Sequence, residues 1–172
     1  MSSPASGHVA RARDIALLAH GSQKYGDQPY RVHLEAVQRV LSRFGVDDAV
    51  IRAAAWLHDV LEDNRSVSRH ELEQSLPEEI VAIVDACTDG EGDSREARKK
   101  RSLQLIPQTR NAIVVKLADR IANVEASIED DHQSRLVMYR DEHGTFSRAL
   151  RASPSDGPFA ATMWAHLDQL LA

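Results

Sequence analysis

Four ionisable side chains crowd the segment Ala53–Asn64, AAAWLHDVLEDN: His58, Asp59, Glu62 and Asp63. A helix turns about 100° per residue, so these four share one side, while Val50, Ala53, Ala54, Leu57 and Leu61 form an apolar stripe on the other. His58 and Glu62, like Asp59 and Asp63, stand at i,i+4. The three carboxylates repel unless something positive lies among them, and a divalent ion with a neutral imidazole meets that need. The competing reading is the wet face of an amphipathic helix. In residues 115–124, VKLADRIANV, the only polar side chains are Lys116, Asp119, Arg120 and Asn123, at i, i+3, i+4 and i+7. A helix so apolar belongs inside, and its carboxylate then needs either a metal or an ion pair with a neighbouring Lys or Arg.

Other reactive residues say less alone. His33 lies in PYRVHLEAV, and a lone histidine is usually structural. Cys87 follows Ile83 and Val84 in an apolar helical pattern and reads as buried filler rather than a nucleophile. Arg95, Arg98, Lys99, Lys100 and Arg101 make one short basic run, with a solvated helix face and an anion-binding role both open.

The elements that must position these groups are helical. Leu34, Val37, Val40, Leu41 and Phe44 fall at helical spacing and stop at Gly45, and Asp47 or Asp48 can cap the next helix. Ser68–Glu71 has capping-box spacing, and Pro77 with Glu78 and Glu79 suits another start. Residues 88–95, TDGEGDSR, read as a loop; further helices are expected around 113–124, 132–150 and 159–171. No stretch alternates strongly enough for a strand, and no repeat is visible. The expectation is an all-α chain: a loose tail over 1–8 and one helical bundle over 9–172.

Length and composition agree. The 172 residues suit one domain, and 42% hydrophobic with 27% charged residues is a globular profile. A net charge of −5 argues against nucleic acid as a partner, because phosphate backbones are bound by clustered Lys and Arg. A single cysteine excludes an intramolecular disulfide framework and a CxxC zinc site. The start, MSSPASGHVA, lacks the basic and apolar regions of a signal peptide, and no window has the length of a membrane span. A cytoplasmic protein is expected, with no membrane partner; a homo-oligomer is left open.

Taken in order, HGSQKYGDQPYRVHLEAV, AAWLHDVLED and KLADRIANV resemble the HD-domain metal-dependent phosphohydrolases. More narrowly, the chain resembles Rel/Spo-type and small stand-alone hydrolases of guanosine 3′,5′-bis(diphosphate), over roughly residues 12–139. The resemblance implies an HD-domain bundle with His33, His58, Asp59 and Asp119 as ligands of a divalent ion, usually Mn2+. It implies that Glu62 and Asp63 order and deprotonate the attacking water. Asn123 corresponds to a contact to the nucleotide sugar, and Lys24, Lys99 and Tyr139 to contacts to phosphate or sugar. The partner implied is a small-molecule nucleotide. Two departures stand out: Tyr25 lies near the place of an arginine that stacks on guanine in those enzymes, and Leu34 replaces a proline. Two other functions compete, hydrolysis of a different nucleotide or phosphoester and a metal- and nucleotide-binding module without turnover.

Overall fold

The computed structural model describes residues 4–63, 67–151 and 159–172, with side chains from residue 7 and without that of Asp63. The chain runs α1 (Pro4–His20), β1 (Lys24–Tyr25), β2 (Gln28–Pro29), α2 (Arg31–Arg43), α3 (Ala49–Leu57), α4 (Val60–Asp63), α5 (Arg69–Ser75), α6 (Glu78–Cys87), α7 (Arg95–Leu105), a 3-10 turn (Ile106–Gln108), α8 (Ala112–Glu129), α9 (Gln133–Leu150) and α10 (Ala160–Leu171). It is an all-α fold, as its periodicity predicts. The only strands among the described residues are those of the β1–β2 hairpin, two residues a side, too short to register as alternation.

Local chemistry sets the boundaries. Asp48 caps α3, its carboxylate accepting from the amides of Val50 and Ile51. Ser68 and Glu71 close a full capping box on α5. Gly45, at φ 72°, takes the left-handed turn that ends α2. α1 begins at Pro4, inside the stretch 1–8 that reads as a tail; proline suits a first helical turn, where its missing N–H is not needed.

α8 is the central helix. Val114, Val115, Leu117, Ala118 and Ile121 are fully buried, and α2, α3, α6, α9 and α10 all pack on it. α1 lies along α3, burying Ala12 and Ala16. Small residues there, Ala53, Ala54 and Ala55 included, let the helices approach closely. Because α2 and α3 both rest on α8, residues at the start of α2, the end of α3 and the middle of α8 meet at one end of the core. Among the described residues, no helix is long and apolar enough to cross a membrane.

Candidate metal centre and active site

The segment 53–64 is not one helix. α3 stops at Leu57, His58 and Asp59 form a turn, and α4 restarts at Val60. The cause is local: His58 Nδ1–H donates to the carbonyl of Ala55 at 2.8 Å, the acceptor that a continuous helix would give to the amide of residue 59. This bond also fixes the tautomer, leaving the Nε2 lone pair facing the site.

Four side chains predicted as ligands come together there. His33 Nε2 lies 3.3 Å from His58 Nε2, 3.3 Å from Asp119 Oδ1 and 3.6 Å from Asp59 Oδ2. His58 Nε2 lies 2.9 Å from Asp59 Oδ2 and 3.6 Å from Asp119 Oδ1. The ligand atoms of His33, His58 and Asp119 all fall within 4.8 Å of one another. Donor atoms at about 2.1 Å from a shared ion stand about 3.0–3.4 Å apart around it, so the spacing fits a divalent cation.

Electrostatics point the same way. Burial works against protonated imidazole, yet the carboxylates of Asp59 and Asp119 hold the pKa of His58 well above its ordinary value. Burial likewise raises Asp119, but Lys116, 3.5 Å away, and the two imidazoles pull its carboxyl well below the usual range. The site favours positive charge, and a divalent ion would supply it while leaving both imidazoles neutral. Nδ1 of His33 is buried with no hydrogen-bond partner among the described residues.

A second set of residues surrounds these. The Tyr30 hydroxyl donates to Asp59 Oδ2 at 2.5 Å, and its ring stacks on His20 at 4.3 Å. Sequence reasoning assigned Tyr30 no role; the available signal was its place three residues before His33. Asn123 Nδ2 donates to Asp119 Oδ1 at 2.6 Å, and its Oδ1 accepts from the Tyr25 hydroxyl at 2.7 Å. Tyr25 also stacks on His33, ring centroids 4.8 Å apart.

Glu62 lies on α4 with one carboxylate oxygen accepting from the amide of Asp89, so the 88–94 loop holds it. Its surroundings strip part of its hydration and push its carboxyl up to about 7, against the pull of the Asp89 amide and Lys116. A carboxyl with that pKa can take or give a proton near neutrality. Asp63 closes α4, but its side chain lies outside the described residues.

A cavity of about 200 Å³ contains His33, Asp59, Glu62, Asp119, Asn123 and Tyr139, with Lys99, Arg95, Arg120 and Lys116 on its walls. Lys24 is exposed on β1 and lines neither this cavity nor the wider cleft beside it; the two-residue strand turns Tyr25 inward instead. The basic run divides. Arg95 and Lys99 reach Glu142, whereas Arg101 caps the end of α6 through the carbonyls of Asp85 and Thr88. Cys87 is buried filler, as expected, its thiol pushed up to about 12 by burial.

Residues 10–147 match the family model described as HD domain. The chain belongs to the HD-domain family. Its class, a metal-dependent phosphohydrolase, is the one the ordered motifs indicated. This HD-domain protein is 32% identical over 121 residues to a guanosine-3′,5′-bis(diphosphate) 3′-pyrophosphohydrolase of Xenopus tropicalis, covering 67% of each chain. It is 30% identical over 139 residues to a probable enzyme of that name from Synechocystis; the match takes in 75% of this chain but 18% of that longer relative. A solved structure described as a metazoan ortholog of SpoT that hydrolyses ppGpp superposes with a TM-score of 0.77 at 22% identity, covering 100% of both chains. That likeness bears on the fold.

Proposed function

We propose that this HD-domain protein is a guanosine 3′,5′-bis(diphosphate) 3′-pyrophosphohydrolase, the activity named for its Xenopus and Synechocystis relatives. The observation that carries the reading is the convergence of His33 from α2, His58 and Asp59 from the α3–α4 turn and Asp119 from α8, beside the carboxyl of Glu62. The four would hold a divalent ion, Mn2+ on the family resemblance. When bound, such an ion lowers the pKa of water in the site from about 15.7 toward about 7.

This chain's residues do the rest. Glu62 takes the proton of the attacking water, with Asp63 sharing the task by resemblance. The phosphorus next to the 3′ oxygen is attacked in line, the bond to that oxygen breaks, the oxygen takes up a proton to become the 3′ hydroxyl, and pyrophosphate is released. Asn123 and Tyr139 contact the sugar, and Lys99 and Arg95 offset charge on the phosphate oxygens. On this reading the domain, expected over residues 9–172, begins with α1 at Pro4, and the protein is cytoplasmic.

Tyr25 favours a second reading, hydrolysis of another nucleotide. Its ring lies between the narrow cavity and the wide cleft, with its hydroxyl already on Asn123.

Purified protein supplied with Mn2+ is assayed for pyrophosphate release from bis-diphosphate and other nucleotides, beside Asp59→Ala and Glu62→Ala. Turnover of bis-diphosphate, lost by at least ~100-fold in Glu62→Ala, is expected. Turnover of other nucleotides instead selects the second reading, and nucleotide binding without any turnover leaves only a binding module.

A further inference from the structure

Three cations in the cavity wall share one carboxylate. Arg95 Nε donates to Glu142 Oε1 at 2.6 Å, while Lys99 Nζ and Arg120 Nη1 each donate to Oε2 at 2.9 Å. Arg95 and Lys99 come from α7, Arg120 from α8 and Glu142 from α9. The three cations line the cavity that holds the metal-ligand group; Glu142 does not, and stands behind them. Asp89, another carboxylate of that wall, is engaged by the Ser102 hydroxyl.

Arg120 is the unusual member. It is 4% exposed, and its Nε and Nη2 have no hydrogen-bond partner among the described residues. Its guanidinium lies between the rings of Tyr139 and Phe146, 4.5 and 4.7 Å from their centroids, which holds its plane fixed. A buried guanidinium with free N–H groups is costly unless an anion meets them. Burial and the neighbouring guanidiniums of Arg120 and Arg95 bring Lys99 down to about 8 in spite of its pairing with Glu142.

We propose that Glu142 sets the charge of the phosphate-facing wall made by Arg95, Lys99 and Arg120, and through it how tightly this subsite holds a phosphate group. The three cations share one carboxylate that stands behind them, and Arg120 keeps two N–H groups unpaired among the described residues, which suits this wall to a phosphate group of the substrate. The inference rests on reading the site as that of a nucleotide phosphohydrolase. Glu142→Gln keeps the shape and an acceptor oxygen but removes the negative charge, so the subsite should hold highly charged phosphates more tightly.

Inorganic pyrophosphate is the probe, titrated calorimetrically at low salt with a chelator present to keep metal away. We expect Glu142→Gln to bind it about tenfold more tightly than wild type, equivalent to about 1.4 kcal/mol. Pyrophosphate should also raise the melting temperature of Glu142→Gln more than that of wild type, which a merely structural strut would not produce. Equal or weaker binding by Glu142→Gln would sink the charge-setting role. Should that variant not fold, Arg95→Gln serves instead: its side chain is 43% exposed, and it should weaken pyrophosphate binding several-fold. Unchanged binding in Arg95→Gln overturns the subsite. Because no turnover is measured, failure here leaves the hydrolase reading standing, and absence of turnover leaves the binding result standing.

Discussion

At the scale of single residues, the site is a set of donors whose orientation is fixed from behind. His58 is held by the Ala55 carbonyl, Asp119 by Asn123 and Lys116, and Asp59 by the Tyr30 hydroxyl. Groups that orient ligands in this way are worth about 10–100-fold in metal affinity. Tyr30→Phe keeps the ring stacked on His20 and removes only the hydroxyl. It should weaken Mn2+ binding by about that factor, read by calorimetric titration, with the melting temperature changed by no more than a few degrees. Unaltered affinity would mean that Asp59 needs no support.

The elements matter because each brings its residues to a defined place. Asp48 starts α3, whose far end delivers His58. Asp48→Ala should cost about 1 kcal/mol in denaturant unfolding, while Mn2+ affinity stays within about twofold, since α3 is also held by its packing on α1, α2, α6 and α8. Glu142 ties α9 to α7 and α8. Despite partial burial, the hydrogen bonds and charges of Arg95, Lys99 and Arg120 pull its carboxyl down to about 2. A depressed carboxyl stabilises the fold above its unfolded pKa of about 4.5, and that stability is lost as pH falls through about 2. Unfolding free energy should drop by about 1–3 kcal/mol from this group between those pH values, and the Glu142→Gln variant should show a flatter acid limb. An identical limb in both would place the acid sensitivity elsewhere.

For the whole molecule, bringing two imidazoles and two carboxylates into a buried cluster links metal binding to folding. At an ion concentration of about 1,000 times Kd the folded state gains about 4 kcal/mol. A chelator should therefore lower the melting temperature of wild type by several degrees and leave that of Asp119→Ala unmoved. The sequence by itself determined the helical class, the cap at Ser68, a cap at Asp47 or Asp48 and the apolar stripe of α8, because each depends on residues within one or two turns of chain. It also ordered the candidate ligands along the chain, since motif spacing is a property of sequence. Only the tertiary structure decided that the 53–64 segment breaks at His58, since a ring nitrogen competing for one carbonyl is invisible to helical periodicity. It alone turned Tyr25 rather than Lys24 into the site, enlisted Tyr30, and joined Arg95, Lys99 and Arg120 to Glu142. Those partners lie up to 98 residues apart, and the packing of helices on α8 and α9, not sequence neighbourhood, makes them meet.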